Sequence, residues 1–407
     1  MPSVKVVRWG ILATGGIART FTKDLLLDPS TRGVDSVKHV VSAVASSHSI
    51  ERAREFIIEC GCPDATRAYG SYSGLARDED IDIVYVASPH SHHYQHAMLC
   101  LEAGKNVLCE KPITVNADQV KRLIKKAQEK GLFLMQALWT RYLPPSIYVS
   151  DVIQSGRIGN VHRITADTSI AMDPERNFAD GNHRMVNPDL AGGALLDLGP
   201  YSLSWCFQAV LASQPEVDPP SVVSAVKRYK TRVDETTTMI LTFPRAEENG
   251  GDIHGIATAS MRVSMDADGR GSVGPCVRVQ GDKGEIQVFP PSYRPTKTRV
   301  VLSDGSIEDR AWEYPGPGKG SGWYNGFGEL NAEGEGHGMF WEADEAAMAL
   351  IEGRKEGRRE SLKEVVHMIE MMDKVRDQHR DSSLLGLIVP ALQAVGRKYT
   401  MSHMMRS

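Results

Sequence analysis

The sequence predicts a protein of two domains: an α/β domain with a doubly wound parallel sheet, then an α+β domain with an open, mostly antiparallel sheet. Three observations favour this architecture. In the first third of the chain, short runs rich in β-branched residues alternate with helical patterns. After about residue 138, β-rich runs follow one another and are separated by turn signals. The 407 residues also exceed what one hydrophobic core usually organises, so two domains are expected.

The first domain is predicted over residues 1–138. Its predicted strands are residues 4–12, 38–45, 83–87, 106–109 and 133–137. Its predicted helices are residues 17–27, 49–59, 93–103 and 116–130. Strands and helices that alternate at this spacing form right-handed β-α-β units, and such units build a parallel sheet.

The second domain is predicted over residues 139–390, followed by a C-terminal tail at 391–407. Its predicted strands are residues 161–170, 222–230, 236–243, 255–263, 276–281, 285–289, 297–302 and 307–313. Its predicted helices are residues 147–155, 339–355, 362–379 and one after Gly192-Gly193. Asp268-Gly269 and Asp304-Gly305 suit hairpin turns, so a mostly antiparallel sheet is expected. Residues 172–190 and 315–338 are predicted to be long loops.

The composition argues against several classes of function. A formal net charge of −4, without basic runs, argues against a nucleic-acid partner. No stretch approaches the roughly 18–20 apolar residues that cross a bilayer, and residues 1–5 contain no apolar signal core, so no membrane partner is expected. The six cysteines show no C-x-x-C spacing. We therefore expect a reduced, cytoplasmic protein.

The turn after the first strand is typical of a dinucleotide site. The segment Trp9-Gly10-Ile11-Leu12-Ala13-Thr14-Gly15-Gly16-Ile17-Ala18 joins a strand to a helix. Small residues there let the backbone approach a pyrophosphate, whose charge meets the positive end of the helix. The predicted cofactor contacts in this Rossmann-type turn are Ala13, Thr14, Gly15, Gly16 and Ile17. Because Ala13 replaces the first glycine, we expect its φ to be negative. A strand-turn-helix without a ligand is the alternative.

The end of the second strand indicates which nicotinamide cofactor is bound. An Asp or Glu there would accept hydrogen bonds from the ribose hydroxyls and would repel a 2′-phosphate. This sequence instead has Ser46 and Ser47, with Arg52 one turn into the next helix. The prediction is NADP. The alternative is that Ser46 and Ser47 only cap the helix.

Three residues are candidates for catalysis. Lys111 follows the fourth long strand, and in such sheets this edge faces the ligand crevice. Asp197 and Tyr201 are spaced i, i+4, so one helix face could carry both. From spacing alone, Asp197 is equally well a capping residue, and Tyr201 equally well a core residue.

These segments resemble, in order and spacing, the glucose–fructose oxidoreductase/inositol dehydrogenase (Gfo/Idh/MocA) family. The matching segments are Ala13-Thr14-Gly15, Ser88-Pro89-His90-Ser91-His92-His93, Glu110-Lys111-Pro112 and Gly-Gly-Ala-Leu-Leu-Asp-Leu-Gly at 192–199. Within the family the chain looks most similar to NADP-dependent D-xylose 1-dehydrogenases and dimeric dihydrodiol dehydrogenases. Those carry a tyrosine at the position of Tyr201 and a W-x-R-aromatic segment, here Trp139-Thr140-Arg141-Tyr142.

The resemblance implies a role for each matched residue. Tyr201 would be the general base, and Lys111 beside it would lower the pKa of the phenol. Asp197 would hold a substrate hydroxyl or orient Lys111. The implied residues of the cofactor crevice are Ser88, Pro89, His90, His93, Glu110 and Lys111. The implied neighbours of the substrate are Trp139, Arg141, Asp197 and Tyr201. His183, in the loop before Gly192-Gly193, is a further candidate because that loop could bring it to the substrate. A core tryptophan beside a surface arginine is the alternative for Trp139 and Arg141.

The implied reaction is oxidation of an aldopyranose, D-xylose first, at C1 to the lactone. Oxidation of a trans-dihydrodiol and a non-catalytic NADP-binding sensor are the alternatives. The histidines at 90–96 could suggest a metal, but the family pattern accounts for them and hydride transfer needs none, so no metal is expected. A homodimer or homotetramer is expected, because an open sheet covered by helices on one side leaves its other face to pair.

Overall fold

The first sheet contains six parallel strands. The structure is a computed structural model that describes residues 4–214, 218–327 and 333–380. In chain order the strands are β1 (Lys5–Leu12), β2 (Val37–Ala45), β3 (Arg67–Tyr69), β4 (Ile83–Val86), β5 (Asn106–Glu110) and β6 (Leu134–Ala137). Their spatial order is β3-β2-β1-β4-β5-β6. The order reverses between β1 and β4, and in such sheets ligands bind in the crevice beyond the strand ends at this point.

The helices of this half begin and end at local signals. They are α1 (Gly16–Leu25), α2 (Ile50–Cys60), α3 (Tyr72–Ala76), α4 (His93–Glu102) and α5 (Ala117–Lys130). Ser49 caps α2 by accepting a hydrogen bond from the Arg52 amide at 3.1 Å. Asn116 caps α5 in the same way through Gln119 at 3.0 Å. The predicted parallel sheet is confirmed; only β3 and α3 had not been predicted, because three and five residues are too short to show a period.

The second sheet contains eight strands, and most of its pairs are antiparallel, as predicted. The strands are β7 (Val161–Ser169), β8 (Ser221–Arg228), β9 (Asp234–Phe243), β10 (Ile253–Ser260), β11 (Val277–Gly281), β12 (Gly284–Val288), β13 (Lys297–Leu302) and β14 (Ile307–Ala311). Their spatial order is β14-β13-β12-β11-β7-β10-β9-β8. Within the described ranges, β7 with β10 is the one parallel pair of this sheet.

One of the two predicted hairpins is wrong. Asp304-Gly305 does join β13 to β14, with Val301 opposite Ile307. Asp268-Gly269 does not join neighbouring strands, because β7 lies between β10 and β11. The Asp268 side chain accepts a hydrogen bond from the Arg270 amide at 2.9 Å, so this turn reverses the chain locally inside a loop. Strand order in the sheet depends on distant pairing, which a local turn signal does not specify.

The remaining helices cover the second sheet and return to the first. They are α6 (Pro144–Gln154), α7 (Pro174–Asn177), α8 (Ala194–Asp197), α9 (Gly199–Ser213), α10 (Met339–Glu352) and α11 (Leu362–Gln378). Helix α9, apolar and buried, packs on β7 and β10, while α10 packs on α1 and α11 on α5. The first sheet ends with β6 at Ala137 and the second begins with β7 at Val161, and the last two helices bridge the two sheets.

A buried carboxylate fixes the start of α10 against the first sheet. Asp24, on α1, accepts hydrogen bonds from the amides of His337, Gly338 and Met339 at 2.8–2.9 Å. Burial outweighs these bonds and raises the pKa of Asp24 to about 6. The predicted loop at 315–338 contains neither helix nor strand at 315–327 and 333–338.

Two further predictions concern the C-terminal tail and membrane-spanning segments. The tail predicted at 391–407 lies outside the described residues. In the described ranges, none of the helices combines the length and the apolar character that a membrane span requires.

Candidate active site

The turn after β1 leaves open space in front of α1. Gly15 caps the helix without a side-chain hydrogen bond, and Thr14 and Ile17 beside it are half-buried. A Cβ added to Gly15 or Gly16 would meet no atom within 4 Å. Because the first N–H groups of a helix attract anions, this open backbone fits a pyrophosphate. Ala13 has φ 92°, so the expected negative φ is wrong: the turn needs left-handed backbone there even without glycine.

The serines at the end of β2 do not cap α2. Ser49 is the capping residue, so the alternative in which Ser46 and Ser47 cap the helix is not what the structure shows. Ser46 is buried and accepts a hydrogen bond from the His48 amide at 3.2 Å. Ser47 is exposed, and its hydroxyl lies 3.3 Å from the His48 ring.

Arg52 lies beside the cofactor turn. Its guanidinium donates to the Thr14 carbonyl at 3.3 Å and to Glu59 at 3.0 Å. The hydrogen bond from Arg52 lowers the pKa of Glu59, so this carboxylate is ionised and balances the cation. The hydrogen bond to the Thr14 carbonyl therefore holds the Arg52 guanidinium at the turn, where it could pair with a 2′-phosphate.

Lys111, Asp197 and Tyr201 come together at the carboxyl edge of the first sheet. Lys111 follows β5, and its Nζ donates to the Asp197 carbonyl at 2.7 Å and to Asp197 Oδ1 at 3.1 Å. The same Nζ lies 4.9 Å from the centre of the Tyr201 ring. All three side chains are buried. The predicted single helix is broken: Asp197 ends α8, and Tyr201 lies in the first turn of α9.

The electrostatics of Tyr201 differ from the expectation. Burial, followed by the nearby carboxylates Glu110 and Asp197, raises the pKa of Tyr201 well above its usual value. The prediction that Lys111 lowers this pKa is wrong for the protein as described, because the ammonium is paired with Asp197. In the described parts of the chain the Tyr201 hydroxyl has no hydrogen-bond partner, so Tyr201 is a neutral phenol with a free hydroxyl.

Three side chains contact the carboxylate of Asp197. Besides Lys111, Arg184 donates to Oδ1 at 2.7 Å and to Oδ2 at 3.3 Å. His90 Nε2 lies 3.4 Å from Oδ1, and its Nδ1 lies 3.3 Å from the Ala191 carbonyl. Burial opposes ionisation of Asp197, but Arg184 and Lys111 hold its pKa well below the usual range. Asp197 is therefore a carboxylate shared between two cations.

His93 supports the crevice from behind. Its ring nitrogens lie 2.7 Å from the carbonyls of Ser88 and Pro112, so it bridges the ends of β4 and β5. Burial lowers the pKa of His93 to about 3, although the contacts with the two carbonyls oppose this shift. Pro89 beside it is exposed. Of the histidines predicted in the crevice, only His90 reaches the catalytic cluster.

Glu110 also lies behind the site. Its Oε1 accepts from the Tyr85 hydroxyl at 2.5 Å, and its Oε2 from the Lys111 amide at 3.2 Å. Burial raises the pKa of Glu110 to about 7, although Lys111 opposes the shift. The side chain predicted to bind cofactor therefore supports the backbone on which Lys111 is carried.

Aromatic rings line one side of Tyr201. Trp139 and Tyr293 lie 5.2 and 5.8 Å from its ring centre. The Trp139 indole N–H donates to the Tyr293 backbone carbonyl at 2.8 Å, which fixes the indole against this segment. From the loop at 315–338, the rings of Phe327 and His337 lie 6.3 and 5.2 Å from the Trp139 ring, between ring centres. Sequence reasoning predicted Trp139 here but missed Tyr293 and Phe327, which no motif marks.

Arg141 is buried and paired with a carboxylate in the interior. It is 4% exposed and pairs with Glu364 at 3.0 Å. A second bond reaches the Ser204 carbonyl at 3.2 Å. The alternative of a surface arginine is therefore wrong, because Arg141 is paired in the interior with a residue of α11, far along the chain from the W-x-R segment.

The loop at 172–190 does not bring His183 to the catalytic cluster. His183 is exposed and stacks on Phe178, with ring centres 3.9 Å apart and 4° between the planes. The next residue, Arg184, reaches Asp197 instead. In the described ranges, no group of three or more His, Cys, Asp or Glu side chains could hold a metal ion.

Two family models cover most of both sheets. A model described as "Oxidoreductase family, NAD-binding Rossmann fold" (GFO_IDH_MocA) matches residues 7–138. A model of the GFO/IDH/MocA C-terminal domain matches residues 147–287. The D-xylose 1-dehydrogenase (NADP(+)) of Hypocrea jecorina is 50% identical over 356 residues, which cover 86% of each chain. The trans-1,2-dihydrobenzene-1,2-diol dehydrogenase of Bos taurus is 34% identical over 351 residues, 86% of this chain and 90% of the relative.

Solved structures share the fold at lower identity. The aldose-aldose oxidoreductase of Caulobacter crescentus, complexed with glycerol, superposes with a TM-score of 0.68 at 20% identity and covers 92% of this chain and 97% of its own. A 3-ketoreductase of Actinomadura kijaniata, in complex with NADP and TDP-benzene, superposes with a TM-score of 0.67 at 22% identity, covering 92% and 98%. The arrangement of both sheets is therefore that of these structures.

Proposed function

The chain belongs to the Gfo/Idh/MocA family of oxidoreductases, and from this premise we propose that it oxidises an aldopyranose, D-xylose first, at C1 with NADP⁺ to give the lactone. The observation that carries the proposal is the meeting of Lys111, Asp197 and Tyr201 at the carboxyl edge of β5. A relative of 50% identity named for this reaction supports the choice of substrate.

The residues around the turn fit NADP. The open backbone at Gly15 and Gly16 would hold the pyrophosphate. Arg52, held at the Thr14 carbonyl, would pair with the 2′-phosphate, and Ser47 offers an exposed hydroxyl. No carboxylate follows β2 directly to repel that phosphate.

The chain's own residues move the proton of this oxidation. Bound NADP⁺ supplies the acceptor for the hydride that leaves C1. The anomeric hydroxyl loses its proton to the phenolate form of Tyr201, which acts as general base, while the Lys111 ammonium beside it stabilises the negative charge that develops on the substrate oxygen. The sugar thus loses one hydride and one proton, and the C1–O bond becomes the lactone carbonyl. Because burial raises the pKa of Tyr201, little phenolate exists at neutral pH, so kcat should rise as the pH increases above 7.

The aromatic rings beside Tyr201 supply the substrate wall. Apolar ring faces at Trp139, Tyr293 and Phe327 suit the C–H face of a pyranose, while Asp197 and Lys111 offer polar contacts. This arrangement leaves the Tyr201 hydroxyl as the group that faces a reacting hydroxyl.

A substrate panel tests the reaction. NADPH formation would be measured with D-xylose, other aldoses and trans-dihydrodiols, and the product of the best sugar identified as a lactone by mass spectrometry. We expect an aldopyranose to give the highest kcat/KM. Turnover of dihydrodiols without turnover of any aldose would contradict the proposed substrate class.

A matched pair of tyrosine variants tests the base. Tyr201→Phe should lower kcat by about 100-fold or more, because it removes the proton acceptor and keeps the ring. Tyr293→Phe is the control, since it removes the hydroxyl of a neighbouring tyrosine. The ring centres of Tyr293 and Tyr201 lie 5.8 Å apart. If Tyr201→Phe kept wild-type turnover, another group would have to take the proton.

A matched pair of arginine variants tests the cofactor. Arg52→Gln should weaken NADP⁺ binding about tenfold, the value of one charge-assisted hydrogen bond, and leave NAD⁺ binding unchanged. Arg54→Gln is the control, because Arg54 is exposed on the same helix. Calorimetric titration measures both affinities, and equal affinity of the wild type for NAD⁺ and NADP⁺ would contradict the choice of NADP.

Dihydrodiol oxidation is the second candidate. The ring cluster would also stack on an aromatic diol, and the 34% identical Bos taurus relative is named for that reaction. A non-catalytic NADP sensor is less well supported, because it would need neither the base nor the ammonium. Tight NADP binding without turnover of any sugar or diol would favour it.

The outer face of the second sheet supports a homodimer. On this face Val223 and Ile240 lie opposite each other and are 63% and 48% exposed, and Ile256 continues the row on β10. An exposed apolar row on an open sheet suits a second copy of the chain. Ile240→Glu should give monomers in light scattering, whereas Ile307→Glu, on the edge strand, should not. A wild-type monomer would contradict the dimer.

A further inference from the structure

Asp197 is held by two cations that enter the site from different sides. Lys111 comes from β5 of the first sheet, and its side chain is 8% exposed. Arg184 comes from the loop before α8, and its side chain is 51% exposed. Arg184 is therefore the partner of Asp197 that solvent can reach.

Arg184 makes the closest contact with the carboxylate. Its two terminal nitrogens lie 2.7 Å from Oδ1 and 3.3 Å from Oδ2, whereas Lys111 reaches only Oδ1, at 3.1 Å. A planar guanidinium that binds both oxygens fixes the rotation of a carboxylate, which an ammonium does not. The orientation of Asp197 is thus set chiefly by Arg184.

The segment that carries Arg184 is tied to the start of α8 and to the turn between β8 and β9. The Gly193 amide donates to the Met185 carbonyl at 2.8 Å. The Thr231 hydroxyl donates to the Val186 carbonyl at 2.6 Å. The guanidinium is therefore carried on a backbone that is fixed on its C-terminal side, while its side chain remains half-exposed at the site.

We propose that Arg184 is a positioning residue, which fixes the carboxylate of Asp197 and through it places Lys111 beside Tyr201. This inference rests on the proposed function, since it assigns the group that arranges the base and its cation.

Without Arg184, Asp197 would turn toward its remaining donors. Those donors are Lys111 and His90, whose Nε2 already lies 3.4 Å from Oδ1. Lys111 would keep its 2.7 Å bond to the Asp197 carbonyl, so the site would remain assembled but less well oriented. A misplacement on this scale lowers rates by about 10- to 100-fold.

Kinetics provide the first part of the test. Arg184→Gln should lower kcat about 10- to 100-fold and leave the Kd for NADP⁺ unchanged. Arg184→Lys keeps the positive charge but lacks the planar guanidinium that binds both carboxylate oxygens, so it should recover part of the lost kcat. Arg176→Gln is the matched control, because Arg176 is exposed in the same segment and lies outside the cluster.

The titration of His90 provides a second readout, which reports the charges that surround Asp197. Four groups face His90: Asp197, Lys111, Arg184 and the ring of His93, 5.7 Å away between ring centres. Burial is the largest cause of the lowered pKa of His90, Asp197 opposes it, and Lys111 and Arg184 add to it. Arg184→Gln should therefore raise the pKa of His90, as followed by NMR of the labelled imidazole, and Arg176→Gln should not.

The outcomes separate this inference from the proposed function. The role of Arg184 would be overturned if the wild type is active and Arg184→Gln keeps both the full kcat and the wild-type pKa of His90. A wild type that oxidises no sugar, but whose His90 shifts in the variant, would refute the reaction and keep the link between Arg184 and Asp197. If Arg184→Gln fails to fold, Arg184→Lys provides the test. Full activity of Arg184→Lys would show that the two-oxygen contact of the guanidinium is not required.

Discussion

Replacing Ala13 by glycine should cost almost no stability, although the same change at an ordinary buried alanine is damaging. Ala13 has φ 92° and is 8% exposed. A left-handed backbone costs a non-glycine residue about 1–2 kcal/mol, and glycine relieves this strain. Glycine also adds about 0.4–1 kcal/mol of backbone entropy to the unfolded chain, and the lost methyl removes about 0.8 kcal/mol of apolar burial. These terms nearly cancel, so the expected change in the free energy of unfolding is within about 1 kcal/mol of zero.

Ala87 provides the matched control at the same edge of the sheet. It follows β4, is 6% exposed and has no positive φ. Ala87→Gly therefore loses methyl burial and gains unfolded-state entropy without relief of strain, which costs about 1–2 kcal/mol. The difference between the two variants isolates the strain at Ala13.

Urea denaturation of wild type, Ala13→Gly and Ala87→Gly measures these values. The reasoning predicts that Ala13→Gly is the more stable variant by about 1–2 kcal/mol. Equal losses in the two variants would refute it, because they would mean that the turn stores no backbone strain. NADP⁺ affinity should not fall in Ala13→Gly, since glycine is the usual residue at the first position of such turns.

Two further predictions concern buried ion pairs. Asp344→Asn should lower the free energy of unfolding by about 3 kcal/mol, because Asp344 holds Arg32 and His39 at 2.6 and 2.8 Å. Burial opposes ionisation of Asp344, but these partners lower its pKa; the stabilisation should therefore be present at neutral pH and shrink as the pH falls below about 4, as denaturation at several pH values would show. Arg141→Leu should lower the Tm and leave the KM for the sugar unchanged, since Arg141 pairs with Glu364 in the core. A raised KM at constant Tm would place Arg141 at the pocket after all.

The periodic parts of the fold could be predicted from the sequence, because they depend on local patterns. Apart from β3, the strands of the first sheet and the runs of the second alternate or cluster their apolar residues over four or more positions. The strand β3 has only three residues, at Arg67–Tyr69, and shows no such pattern. The parallel pairing of β7 with β10 likewise could not be predicted, since the two strands are separated by three helices and two other strands in the chain.

The site could be predicted where a motif places a residue at a strand end or helix start. Lys111, Asp197 and Tyr201 meet as expected because Lys111 follows a parallel strand at the crevice edge. The partners of long polar side chains could not be predicted in the same way. Arg141 and Arg184 both lie near motif residues, yet one pairs with Glu364 in the core and the other with Asp197 at the site. An arginine side chain spans several ångströms, so its partner depends on the tertiary fold.

The break between α8 and α9 explains why Lys111 is held where it is. In a continuous helix the Tyr201 amide would donate to the Asp197 carbonyl, four residues earlier. Here the Tyr201 amide donates to the Leu198 carbonyl at 3.1 Å, and Pro200 has no amide hydrogen to continue the helix. The Asp197 carbonyl is consequently free at the end of α8, and Lys111 Nζ takes it at 2.7 Å. The Gly199-Pro200 step thus turns a backbone oxygen that a helix would have used into a ligand for the ammonium, so that Asp197 binds Lys111 through both its backbone and its side chain.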